Sequence, residues 1–134
     1  MERHRVAHAM FAADVASQKL GIEMVELGDG HAVMSMTVTH DMVNGHAITH
    51  GGFVFLLADT TFAMACNSYS DSAVAARCDI RYLRPTKAGD LLVAEAVERA
   101  RFGRNGIYDV RVTRGTEVVA EFRGDSRTIS SSTA

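Results

Sequence analysis

The stretch His50-Gly51-Gly52-Phe53-Val54-Phe55-Leu56-Leu57-Ala58-Asp59-Thr60-Thr61-Phe62-Ala63-Met64-Ala65-Cys66 decides the fold. Residues 53–66 are too long a run for a typical strand, and their alanines favour helix. They read as a largely buried helix opened by His50-Gly51-Gly52. A helix that is apolar nearly all round needs cover on every side. The rest of the chain must supply that cover.

Downstream, a loop over residues 67–72 leads to four strand segments at 74–82, 91–101, 107–114 and 117–128. Lys87-Ala88-Gly89-Asp90, Gly103-Arg104-Asn105-Gly106 and Gly115-Thr116 separate them, with Asn105-Gly106 the hairpin dipeptide. Upstream, Val6, Met10, Ala13 and Leu20 recur at helical spacing and Gly21 ends that helix. Strands at 22–27 and 31–39 flank the Gly28-Asp29-Gly30 hairpin, and residues 40–49 form a loop. The order predicts an α+β domain: an N-terminal helix and a curved antiparallel sheet wrapped around a long central helix. Open sheet edges need pairing, so a homo-oligomer is expected.

The 134 residues fit one domain spanning 1–134, with a frayed tail from about 129. Apolar residues are 47% and charged residues 22%, enough for a packed core. A net charge of -2 without any basic block argues against nucleic acid. The run 52–66 is too short and too polar to span a membrane. Two cysteines, Cys66 and Cys78, make neither a disulfide scaffold nor a structural zinc site; they read as core thiols in a cytoplasmic protein.

Two features can carry chemistry. Asp59 interrupts the apolar helix, where an unpaired carboxylate is costly; it lies on an exposed stripe, pairs with Arg77 or Arg81, or acts on a substrate. His50-Gly51-Gly52 exposes amide hydrogens at a helix start, which can bind an anion or polarise a carbonyl. Gly51 and Asp59 are eight residues apart, roughly 12 Å along a helix. Within one helix they cannot meet at one reacting atom. Either they are unrelated, or a site joins Gly51 of one copy to Asp59 of another. His46 and His50 stand at i, i+4, but no third ligand follows, so no metal is expected. Asn44 offers a polar contact in the loop. Arg84, Lys87 and Arg104, at strand ends and turns, could meet ligand phosphates. Phe53, Phe62, Met64 and Tyr69 are candidates for an aromatic pocket, with core packing the competing role.

The run Asn44-Gly45-His46-Ala47-Ile48-Thr49-His50-Gly51-Gly52 with Leu57-Ala58-Asp59-Thr60 resembles the hotdog-fold acyl-CoA thioesterase family. So do Leu83-Arg84-Pro85-Thr86, Gly89-Asp90, Tyr108-Asp109 and Phe122-Arg123-Gly124, and the likeness is to the branch that acts in phenylacetate degradation. It implies a sheet wrapped around a long helix and a dimer of dimers with each site shared by two subunits. It implies Asp59 as the essential carboxylate, Gly51 as the backbone donor, and Asn44, His50, Gly52 and Thr60 around the substrate. The serine or threonine helper of some relatives is missing at Ala75 and Ala76, leaving Thr60 or Thr61 as its substitute.

The reaction expected is hydrolysis of an acyl-CoA, phenylacetyl-CoA or a ring-hydroxylated relative, without a cofactor. Asp59 then acts as nucleophile or as general base on water. Two rivals are a hotdog enoyl-CoA hydratase or dehydratase, using His50 and Asp59 for proton transfer, and a non-catalytic acyl-CoA sensor.

Overall fold

The computed structural model describes residues 4–131. Helices α1 (Arg5–Ala13) and α2 (Val15–Lys19) precede strands β1 (Glu23–Gly28) and β2 (His31–Thr37). A 3₁₀ turn (His40–Met42) leads to α3 (Gly51–Cys66). Strands β3 (Asp71–Tyr82), β4 (Leu91–Phe102), β5 (Asn105–Arg114) and β6 (Glu117–Ser131) follow. The six strands form one antiparallel sheet in the order β1-β2-β4-β5-β6-β3. Helix α3 packs against all six. This is the hotdog arrangement, as the resemblance implies.

The sheet wraps because the chain bends it. Register shifts occur in the β1–β2, β3–β6, β4–β5 and β5–β6 pairs, and each extra residue kinks its strand and increases twist. The inner face presents alternating apolar side chains, Met34, Met36, Leu92, Val110 and Val112 among them, to Leu57, Ala58, Phe62 and Met64 of α3. Phe62 lies among Tyr108 and Phe122, with ring centroids 5.7 and 5.8 Å away. Gly124 lies under the same ring: a Cβ there would come within 2.7–2.8 Å of Phe62 ring atoms. We expect Gly124→Ala to cost about 1–3 kcal/mol of stability by overpacking. Chemical denaturation reads that as a lower midpoint at unchanged slope; a wild-type midpoint would mean that the ring yields freely.

The structure departs from the sequence expectations in four places. The N-terminal helix breaks at Asp14, whose non-helical ψ of 88° and side chain, accepting from the Ser17 amide at 3.0 Å, cap a second helix. The β4–β5 turn is Gly103-Arg104 rather than Asn105-Gly106, because Gly103 takes the positive φ of 61° while Asn105 pairs with Phe102 and Gly106 with Arg101. Strand β3 begins at Asp71, three residues early, since buried Asn67 ends α3 and its side chain bonds both the N–H and C=O of Ala73. The tail is strand through Ser131, paired with Asp71; residues 132–134 lie outside the described part.

Strand β3 is an edge strand and runs beside α3. Its residue Cys78 meets Asp59, and Tyr82 meets Gly51. Four residues of strand span about 13 Å, the same length as eight residues of helix. The two ends of that parallel track are the parts from which the site is built.

Candidate active site

The start of α3 is held by backbone geometry. His50 donates its amide to Met42 O at 2.7 Å, and Thr49 donates to Thr86 O at 2.7 Å. Beneath them the Thr86 hydroxyl donates to Thr49 Oγ1 at 2.6 Å in a buried contact. Asn44 organises the preceding loop: its Oδ1 accepts from the amides of His46 at 2.9 Å and Ile48 at 3.4 Å. With Oδ1 engaged, the Asn44 Nδ2 group is left as the available donor.

The two glycines now separate. The Gly52 amide donates to Nδ1 of His50 at 3.2 Å, so His50 acts as the N-cap of α3. Among the described residues no hydrogen bond uses the Gly51 amide. Gly51 lines a cavity of about 460 Å³ together with Asn44, Ile48, Val54, Tyr82, Leu83 and Val119; Gly52 does not. A free amide hydrogen at a helix N-terminus, on a residue that lines a mostly apolar cavity, is suited to a carbonyl oxygen on which negative charge develops.

Asp59 sits half-buried in mid-helix, beside Cys78, four residues along β3 from the Tyr82 that lines the cavity. No arginine pairs with it among the described residues; Arg81 pairs with Asp79 instead, at 3.4 Å. The polar neighbour of Asp59 is the Cys78 thiol, which donates to Oδ1 at 3.9 Å. Burial raises its carboxyl above the usual value of 3.8, the charge of Asp14 raises it further, and the thiol contact opposes both. The environment of both cysteines favours the thiol over the thiolate. Burial, reinforced by nearby negative charges, pushes Cys78 up to about 11, and burial pushes Cys66 up to about 12.

The remaining predicted residues divide. Arg84 lines the cavity, donating to Val118 O and pairing with Glu117 at 3.6 Å. Lys87 is engaged by Asp90 at 3.2 Å. Arg104 lies in the β4–β5 turn, at the far end of the sheet from Tyr82, since Asn105 pairs with Arg127 and Val74 pairs with the same residue. Thr60 turns away: its hydroxyl is buried against Ser17 Oγ at 2.8 Å, and Ser17 in turn donates to Asp14 at 2.6 Å. Phe62 and Met64 are core, and Tyr69 donates to Glu98 at 2.9 Å. Tyr82, Leu83, Thr49, Thr86 and Cys78 were not found by sequence reasoning. The alternation of β3 put Cys78 and Tyr82 on one face, but only contact with α3 shows what that face meets.

Comparison with known proteins identifies the fold and the family. Residues 46–121 match the model of the thioesterase superfamily. The chain is 48% identical over 124 residues to the acyl-coenzyme A thioesterase PaaI of Escherichia coli, covering 92% of this chain and 89% of that protein. The structure of the E. coli PaaI protein from the phenylacetic acid degradation operon superposes with a TM-score of 0.92 at 45% identity, covering 95% and 93% of the two chains. A mutant of the phenylacetic acid degradation protein PaaI from Thermus thermophilus gives 0.84 at 36% identity, covering 87% and 100%. The described residues contain no helix long and apolar enough to cross a membrane.

Proposed function

Since this chain belongs to the thioesterase superfamily, we propose that it hydrolyses acyl-CoA thioesters, with phenylacetyl-CoA or a ring-hydroxylated phenylacetyl-CoA as substrate. The observation that carries the reading is the unpaired Gly51 amide, among the described residues, at the start of α3, on a cavity whose walls are mostly apolar. Its volume falls in the range of about 300–1,000 Å³ usual for small-molecule sites. Ile48, Val54, Tyr82, Leu83 and Val119 suit an aryl group. The names of the E. coli and T. thermophilus relatives support the same acyl class.

The thioester oxygen docks on the Gly51 N–H, with Asn44 Nδ2 as second donor and His50 fixing the helix cap. Asp59 of a second copy completes the reaction. As a base it takes a proton from water, the hydroxide adds to the acyl carbon, and the C–S bond breaks to release the CoA thiolate. As a nucleophile it adds directly, expels the thiolate and leaves a mixed anhydride that water opens. Arg84 is our choice for the cation that meets the CoA phosphates, because it lines the cavity while Lys87 is engaged by Asp90.

The second copy is supplied by β3. Its regular part, Arg77–Tyr82, follows the register shift between Ala75 and Arg77 and offers an unpaired edge. A two-fold axis at Ile80 sets Asp79 opposite Arg81 of the other copy, an opposite-charge pair. It also brings Cys78, and with it Asp59, level with Tyr82 and Gly51 across the interface. The two tracks of equal length then meet end to end. The dimer-of-dimers assembly rests on the family resemblance, and a cytoplasmic location on the CoA substrate. Light scattering tests the mass: a monomer at full activity would overturn the shared site.

A thiol-release screen over phenylacetyl-, hydroxyphenylacetyl-, benzoyl- and fatty acyl-CoA tests the reaction. Turnover on the arylacetyl substrates is expected. Tight binding without thiol release would favour a sensor, and hydration of an enoyl-CoA would favour a hydratase.

The pH profile is a further check. The raised carboxyl of Asp59 must be ionised to act, so activity falls as pH drops through a value above the ordinary carboxylate 3.8. An acid limb at or below 3.8 would assign it to another group.

A further inference from the structure

The hydroxyl of Tyr82, at the last position of β3, donates to the carbonyl oxygen of Gly51 at 2.8 Å. The ring lies against the same residue: a Cβ on Gly51 would come within 2.9 Å of Tyr82 Cζ and 3.0 Å of its oxygen. Both residues line the cavity. The Gly51 carbonyl belongs to the first turn of α3, and the amide hydrogen of the same residue is the donor assigned to the acyl oxygen. A backbone that can slide at this point moves that donor. The loop before it is tied through His50 and Thr49, but on the cavity side the Tyr82 contact joins α3 to the sheet.

We propose that Tyr82 is a positioning and size-limiting residue of the thioesterase site: its hydroxyl pins the Gly51 peptide where the acyl oxygen must dock, and its ring forms the wall that bounds the acyl group. The inference rests on the thioesterase reading of this cavity. Tyr82 carries an apolar ring and a hydroxyl that burial holds protonated above its ordinary range, so it remains a donor throughout the working pH range. The two parts of the side chain are separable by substitution.

Tyr82→Phe keeps the ring and removes the hydrogen bond. A donor that acts on developing charge shows itself in kcat rather than KM. We expect kcat on phenylacetyl-CoA to fall about 3- to 10-fold, the span of one ordinary hydrogen bond, at unchanged KM and melting temperature. Tyr82→Ala removes the wall. Its kcat/KM for naphthylacetyl-CoA relative to phenylacetyl-CoA is expected to rise about 10-fold over that of Tyr82→Phe, as one or two extra methylene-sized spaces allow. The phenylalanine variant keeps the wild-type ratio.

The outcomes separate cleanly. A wild-type protein that releases thiol while Tyr82→Phe matches its kcat overturns the positioning role and leaves the thioesterase reading standing. An unchanged size ratio in Tyr82→Ala overturns the wall. A rise in KM together with a lower melting temperature in Tyr82→Phe would mark a general structural role and also overturn the inference. A wild-type protein without thiol release on any substrate overturns both readings.

Discussion

Asp59→Asn should leave a folded protein that binds acyl-CoA and does not turn it over. The asparagine keeps the shape of the side chain and the space beside Cys78, so packing is preserved. It can neither take a proton from water nor attack the acyl carbon. Loss of a positioned general base lowers kcat by about 10²–10⁴-fold, and loss of a nucleophile by at least as much. Stability should move the other way. The carboxyl is raised by burial and by Asp14, so the ionised form is the one the fold disfavours. That penalty is absent below the unfolded value, grows as pH rises from the unfolded value to the raised folded value, and is constant above it. The variant should therefore melt at or above the wild-type temperature at pH 7, with the difference vanishing at low pH. Thiol release and calorimetry on the same preparation check both halves. Near-wild-type kcat would remove Asp59 from the chemistry.

The second large effect is complementation between two inactive proteins. Gly51→Val places a branched side chain where even a Cβ meets Tyr82 at 2.9 Å, displacing the ring and the amide. Loss of an oxyanion donor costs about 10²–10³ in kcat, so this variant is nearly silent alone. Asp59→Asn is silent as well. If each site takes Gly51 from one copy and Asp59 from the other, a mixed dimer holds one intact site and one doubly damaged site. Random reassociation makes about half of the dimers mixed, so co-refolded protein should regain about a quarter of wild-type activity. A site contained within one chain would regain nothing. The measured recovery decides between the two arrangements without any crystal.

The sequence carried the architecture because the fold is written in periods. The run 53–66 reads as a buried helix on its length and its alanines, although periodicity alone also admits a buried strand, and the alternating segments after it read as its cover. The sequence predicts a turn over Gly103-Arg104-Asn105-Gly106 because Asn105-Gly106 has a strong local signal, while the register of β4 against β5 confines the loop to Gly103-Arg104. Local propensity and sheet pairing competed there, and pairing won. Thr60 stands next to Asp59 along the chain, but a helix turns 100° per residue, and that rotation buries it against Ser17.

By itself the sequence determined the long helix, the strand order along the chain, the family, and the two groups whose chemistry is out of place: a carboxylate in an apolar helix and bare amides at its start. These are properties of residue type and spacing, which are local. The tertiary structure decided that, among the described residues, the Gly51 amide is free while that of Gly52 is spent on His50 and no arginine neutralises Asp59, and that Tyr82 and Cys78 stand beside the two groups. The Tyr82 and Cys78 contacts close 31 and 19 residues of intervening chain. Which strand ends the sheet, and how far it bends, sets those contacts, and no local pattern encodes that distance.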